Sequence, residues 1–222
     1  MDAIVLAAGT SSRMGAGIDK QLVRIGGKPV MVFSLERLLR HPAIGRVIVV
    51  THESNIDSVR SLLAHYRLSG SCEVIAGGAS RQESVVCGLA AVKSDRVIVH
   101  EGARPLIDDA LIERVVAASG DAVVPTVEVP FTVAIGGETM TSELDRSTLH
   151  NVQLPQAFDT DALRSAHAAA ADGGETATED SALVFRQGGR VVFVAGSSRN
   201  IKITYPEDLV VAEQLIFGDE AS

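Results

Sequence analysis

Residues 4–21 read IVLAAGTSSRMGAGIDKQ: an unbroken apolar run, two alanines, Gly9, small hydroxyl residues, then Arg13 and Lys20. An apolar run without polar alternation describes a strand covered on both faces, here ending in a loop at a sheet edge. Small residues let a ligand approach the main chain, and the free N–H groups of such a loop form an anion nest. Arg13 and Lys20 add two cations seven residues apart, so the stretch reads as a seat for a polyphosphate. It contains neither the G-x-x-x-x-G-K-[ST] of P-loop ATPases nor the G-x-G-x-x-G of dinucleotide binders, because Thr10 and Ser11 stand where a second glycine belongs.

Working outward, similar apolar runs recur at 47–50, 97–99, 122–124 and 191–194. Helical spacing lies between them. Met31, Leu35, Leu38 and Leu39 line one face; Ile56, Val59, Leu62, Leu63 and Tyr66 the next. Val85, Val86, Leu89 and Val92 follow, then Leu111, Ile112, Val115 and Val116. Strand alternating with helix predicts one α/β domain over residues 1–222, a doubly wound, mostly parallel sheet with ligands at the carboxyl ends of its strands. Residues 127–151 break the rhythm. Gly136-Gly137 between two strand-like pieces predicts a hairpin with a two-residue turn, a β-arm expected to dock on another subunit. Thr204 with Glu207 predicts a capping box, and Pro206 the first turn of a last helix ending near Ile216.

Of 222 residues, 46% are apolar and the formal charge is −8. That balance opposes broad nucleic-acid binding, yet cations focused in one cleft still govern a small anion. No apolar run approaches a membrane span, no secretory signal is visible, and two cysteines form no disulfide framework, so the expectation is a cytoplasmic protein away from membranes.

Three further motifs bear on chemistry. Residues 77–84, GGASRQES, follow a short strand and open a helix. Gln82 spoils a nucleophile elbow. The exposed backbone of Gly77-Gly78 suits an edge-on contact with a nucleobase, with Ser84 in hydrogen-bonding reach; a plain turn with Ser80 as cap fits equally. In HEGARP, residues 100–105, Glu101 offers Mg²⁺ a hard oxygen and Arg104 can pair a carboxylate or phosphate, or the two can pair each other. His100 reads as a packed histidine. Lys202, in an apolar strand-like piece, needs an anionic partner if it points inward. The polar trio Thr178-Glu179-Asp180 precedes a helix, where capping is the default role.

The order LAAGTSSRMG, DKQ, GGASRQES, HEGARP, LDR, LPQ, TEDSALV and NIKITYPEDL resembles the 2-C-methyl-D-erythritol 4-phosphate cytidylyltransferases of isoprenoid biosynthesis, from Ile4 to about Ile216. The resemblance implies transfer of CMP from CTP to that polyol phosphate, with pyrophosphate released. It implies CTP contacts from Ala7, Ala8, Gly9 and Thr10, base reading near Gly77, Gly78 and Ser84, a CTP contact from Arg104, and Mg²⁺ on Glu101. Arg13 and Lys20 match transition-state cations; Arg146 and Lys202, assisted by Thr178, match the residues that hold the polyol phosphate. Arg146 would lie on an arm crossing a homodimer interface. Four departures stand out: Asp19 replaces a proline before Lys20, Glu101 replaces an aspartate, Val127-Glu128-Val129-Pro130 replaces a V-R-D-T stretch, and Leu154 replaces a threonine.

Competing readings are a related enzyme for ribitol 5-phosphate or another polyol phosphate, a catalytically silent nucleotide-binding protein, and an oxidoreductase disfavoured by the missing dinucleotide fingerprint.

Overall fold

A computed structural model describes residues 1–9 and 23–218. Thr10, Arg13, Asp19 and Lys20 lie outside them, so the expectations placed on those four residues concern a part of the chain that is not described.

In chain order the elements are β1 (Asp2–Ala7), β2 (Arg24–Ile25), β3 (Lys28–Pro29), α1 (Val30–Arg40), β4 (Arg46–Thr51), α2 (Ile56–His65), β5 (Cys72–Ala76), α3 (Arg81–Ala91), β6 (Arg96–Glu101) and α4 (Asp109–Ala117). Then follow β7 (Ala122–Glu128), β8 (Val133–Gly136), β9 (Met140–Leu144), β10 (His150–Val152), β11 (Gln156–Asp159), α5 (Thr160–Asp172), α6 (Asp180–Arg186), β12 (Val191–Ala195) and α7 (Pro206–Phe217). The main sheet has eight strands in the order β10-β7-β11-β6-β1-β4-β5, with β12 also on β7. β6, β1, β4 and β5 are parallel neighbours, and β12 is parallel to β7. β11 is antiparallel to both β6 and β7, so β7 runs with the parallel set; β10 is the second reversed strand. The α/β sheet with helices on both faces is as the apolar runs imply.

Every residue of β1 is buried, as continuous apolar runs require when helices cover both faces. Val5 and Ala7 join the core beneath α1, α2 and α4, while Ile4 and Leu6 pack against α3, α5 and α6. Gly88 in α3 is there for contact: a Cβ would come within 2.8 Å of Ile4 Cγ2. This close packing fixes α3, and with it the residues at its start, over the centre of the sheet.

Three local expectations are corrected. The hairpin turns through Gly137-Glu138-Thr139, because Gly136 still pairs with Met140 across a bulge. Residues 201–204 form no strand. α7 starts with Pro206 in its first turn, but the box carboxylate is Asp208, which accepts the N–H groups of Thr204 (2.7 Å) and Tyr205 (2.8 Å); Glu207 takes no part. Asp208 is three residues past Tyr205, the residue in the N-cap position, which is where such a carboxylate reaches back.

Candidate active site

Two small-residue loops meet at the carboxyl edge of the parallel strands. Ala8 and Gly9 follow β1, and among the described residues a Cβ on Gly9 would meet nothing within 4 Å. Gly77 and Gly78 follow β5. A Cβ on Gly77 would stand 2.7 Å from Ser84 Oγ and 3.0 Å from the Ala8 Cβ, so the two loops touch and only glycine fits. The Gly77 N–H donates to the Thr51 carbonyl at the end of β4 (2.8 Å). Ser84 is buried in the first turn of α3; its hydroxyl donates to the Ser80 carbonyl (2.8 Å) and accepts the Gly78 N–H (3.2 Å). Ser80 Oγ accepts the Glu83 N–H (3.1 Å), so Ser80 is indeed the helix cap. Ser84 therefore shapes the glycine turn from beneath.

Beside these loops, Glu101 closes β6 with only 8% of its surface exposed. A carboxylate at such depth needs compensation. Lys202 supplies most of it, with Nζ 2.7 Å from Oε2. Arg81 Nε lies 3.6 Å from Oε1, and Arg104 Nε lies 3.8 Å from Oε2. Burial works to raise the Glu101 carboxyl, but the charges of Lys202, Arg104 and Arg81 outweigh it and hold the group below the usual carboxylate range. Burial pushes Arg104 down, and Glu101 with Glu179 offsets only part of that.

Each cation has a structural reason to be there. Arg104 Nη1 donates to the Asn200 carbonyl (3.0 Å), and the Ile203 N–H donates to the Ala103 carbonyl (2.8 Å). These bonds bring the segment around Lys202 back to the end of β6. Ile203 is fully buried with Ile25, Val30 and Ala212, so Lys202 is flanked by an anchored residue. Asn200 Nδ2 donates to the Leu154 carbonyl (2.6 Å), so position 154 serves this site through its backbone while its side chain is core.

Arg81 opens α3 and faces three carboxylates. Its Nη2 donates to Asp180 Oδ2 at 2.8 Å, with Glu179 Oε2 at 4.0 Å and Glu101 as above. Asp180, 1% exposed, also lies 3.0 Å from His167 Nε2 on α5. Among the described residues His167 Nδ1 is buried without a partner, so the neutral tautomer that leaves no orphan donor carries its proton on Nε2 and donates to Asp180. Burial would raise the Asp180 carboxyl, yet the His167 bond and the Arg81 charge depress it. Burial opposes the Arg81 charge too, but Asp180, Glu179 and Glu101 leave it raised. Glu179 differs: burial raises its carboxyl, with Arg81 opposing, while Gln156 Nε2 donates to it (3.0 Å). Sequence reasoning missed Arg81 and His167 and assigned Asp180 to a cap. The correction is that its carboxylate is spent on buried charge.

His100 is fully buried beside Glu101 and pushed down to about 4 by burial and the Arg104 charge, so it is a neutral packed histidine near pH 7. Thr178 is exposed in the bend before α6. Arg146 is exposed in a short 3₁₀ turn at the base of the β8–β9 hairpin, with Nη1 on the Pro130 carbonyl (3.1 Å). Within one chain the structure brings together Glu101, Lys202 and Arg104 and adds Arg81. Among the described residues there is no group of three His, Cys, Asp or Glu that could hold a metal ion. The arrangement is an ionised carboxylate ringed by cations, next to small-residue loops. It suits anionic ligands.

The sequence profile for 2-C-methyl-D-erythritol 4-phosphate cytidylyltransferase matches residues 1–217. A protein of that name from Syntrophotalea carbinolica is 40% identical over 96% of this chain and 94% of its own. Another from Clostridium acetobutylicum is 37% identical over 96% of each. Among solved structures, 4-diphosphocytidyl-2C-methyl-D-erythritol synthase from Anaerococcus prevotii superposes with a TM-score of 0.85 at 27% identity, over 97% of both chains.

Asp180 gives a pH test. Its folded pKa lies below the ordinary 3.8, so the stability it contributes is complete above pH 3.8 and is lost as pH falls through the depressed value. Asp180→Asn should cost about 3–5 kcal/mol near pH 7, the scale for breaking a buried pair. Urea unfolding of both proteins should show that gap closing only below pH 3.8; a gap constant down to pH 3 would contradict the assignment.

Proposed function

The chain belongs to the 2-C-methyl-D-erythritol 4-phosphate cytidylyltransferase family, and we propose that it transfers CMP from CTP to 2-C-methyl-D-erythritol 4-phosphate and releases pyrophosphate. The observation that carries this reading is Glu101, kept ionised by three cations at the strand ends beside the Ala8-Gly9 and Gly77-Gly78 backbone.

The reaction asks little of a general base. The acceptor's phosphate has a second pKa near ~6, so at pH 7 it is largely dianionic and already nucleophilic. Its oxygen attacks the α-phosphorus of CTP and pyrophosphate departs. Repulsion between two anions and charge building at phosphorus are the obstacles, and fixed cations and N–H groups lower both. In this reading Ala7, Ala8, Gly9 and Thr10 offer main-chain contacts to CTP, and Arg13 and Lys20 neutralise the transition state. Gly77, Gly78 and Ser84 seat the base. Lys202 and Arg146 hold the acceptor's phosphate, with Thr178 beside them. Arg104 acts here by holding Glu101 and the segment before Lys202.

Glu101 fits a divalent cation. Its pKa is depressed, so it presents a hard anionic oxygen at neutral pH, and Mg²⁺ is commonly held by one or two carboxylates plus substrate phosphates. Held by Glu101, Mg²⁺ would supply positive charge that offsets the charge developing on the leaving pyrophosphate.

We also propose a homodimer formed through the hairpin. Ile135, Met140 and Leu144 are exposed on a two-stranded unit separate from the main sheet, and Phe131, just before it, is 77% exposed. Such a unit gains little stability alone, and a second copy would cover it and carry Arg146 to the neighbouring site. The cytoplasm as its compartment is supported by two free cysteines, Cys72 and Cys87.

Pyrophosphate release with CTP and Mg²⁺ should be fastest with 2-C-methyl-D-erythritol 4-phosphate in an acceptor panel that includes ribitol 5-phosphate. Equal or greater turnover of ribitol 5-phosphate would reassign the acceptor. Lys20→Ala should lower kcat by about 10²–10³-fold, the scale for losing one transition-state donor. Lys202→Ala should weaken the acceptor about 10–100-fold, the scale of a hydrogen bond to a charged group, while CTP still binds. Steady-state kinetics with a CTP titration separates the two roles. Light scattering should give a dimer for the parent protein and a monomer for Met140→Asp; a monomeric parent would remove the arm from the site.

A further inference from the structure

We propose that Lys202 and the divalent cation are alternative occupants of the Glu101 carboxylate: in the nucleotide-free protein the ammonium is its counter-ion, and a cation enters only by displacing it. The inference rests on the reading of Glu101 as the metal-holding residue.

The three cations around Glu101 differ in what else holds them. Arg81 is fastened to Asp180 at 2.8 Å, and Arg104 to the Asn200 carbonyl at 3.0 Å. Both guanidinium Nε atoms stop short of Glu101, at 3.6 and 3.8 Å. Lys202 is in direct contact at 2.7 Å, and Glu101 is its one ion-pair partner among the described residues. Its ammonium rides on a four-carbon stem that is about one-third exposed, from a segment fixed through the neighbouring Ile203 N–H. Lys202 is thus the cation free to swing away, while the arginines stay.

Charge decides when it does so. Arg81, Arg104 and Lys202 stand against three acidic side chains, Glu101, Glu179 and Asp180, so the cluster is near balance and a divalent ion arriving alone while Lys202 stays in place meets net repulsion. A nucleotide's polyphosphate reverses that balance by adding several negative charges at the same edge. The ammonium set free is the one assigned above to the acceptor's phosphate, so Glu101 couples the cation's arrival to the availability of Lys202.

The test is Mn²⁺ binding to the nucleotide-free dimer or monomer as purified, followed by electron paramagnetic resonance of the free ion. Four proteins are compared: wild type, Lys202→Met, Glu101→Gln and the double variant, each first checked for folding by circular dichroism. Lys202→Met should bind Mn²⁺ at least about 10-fold more tightly than wild type, and the double variant should lose that gain. Lys202→Met binding no more tightly than wild type, or not at all, overturns the inference while leaving Glu101 as a ligand in the nucleotide complex. A gain that survives Glu101→Gln puts the ion elsewhere and overturns the metal reading of Glu101 together with the inference.

Discussion

Burying an anion at the end of a strand imposes the constraint from which the rest of this site follows. Glu101 sits where β6 meets solvent, yet is almost fully covered, and a lone carboxylate there would be several kcal/mol out of balance. Three cations answer it from separate places in the chain: Arg104 three residues on, Arg81 from the start of α3, and Lys202 from the segment before α7. Each must be delivered by its own tertiary contact. Gly88 against Ile4 sets α3, the Ile203–Ala103 hydrogen bond returns the chain before α7, and the Asn200 carbonyl anchors Arg104. One charge at the sheet edge thereby ties together parts of the protein that share no secondary structure.

The same logic continues one step inward. Arg81 is itself buried enough to need a partner, and Asp180 provides it; Asp180 in turn is satisfied by His167. The chain His167–Asp180–Arg81–Glu101 runs from the core side of α5 to the rim of the sheet. It places the start of α6, and hence Thr178, at the edge of the site without any contact between Thr178 and the cluster being required.

What was legible in the sequence follows from how local the determining physics is. β1, β4, β6 and β7 announce themselves because strands buried on both faces are continuously apolar, whereas β12 is as apolar but only half-buried. β10 and β11 do not, since His150, Asn151 and Gln156 interrupt the pattern and their pairing with β7 and β6 is decided by distant partners. Gly136-Gly137 located the hairpin, but its turn moved because a bulge between Ile135 and Gly136 shifted the pairing by a residue. Glu101, Lys202 and the glycine loops stood out as charge or flexibility in apolar surroundings. Asp180 was misread because short polar residues before a helix usually cap it, and nothing near it in sequence points to Arg81, ninety-nine residues earlier. Arg81, within GGASRQES, was given no role for the same reason.

The longer side chain at position 101 is best understood through that network. Compared with the aspartate that the family resemblance leads one to expect, glutamate adds one methylene and one rotatable bond, which lengthens reach and costs order. Reach lets the carboxylate meet Lys202 at 2.7 Å while its other oxygen faces Arg81. Order is restored by the surrounding charges: any rotation that improves one pairing lengthens another, so the carboxylate is held between competing attractions. A carboxylate so confined by anchored arginines and one movable lysine can exchange that lysine for another cation with little displacement of its own. The movable partner, more than the carboxylate, is then the part of the site that responds to what binds.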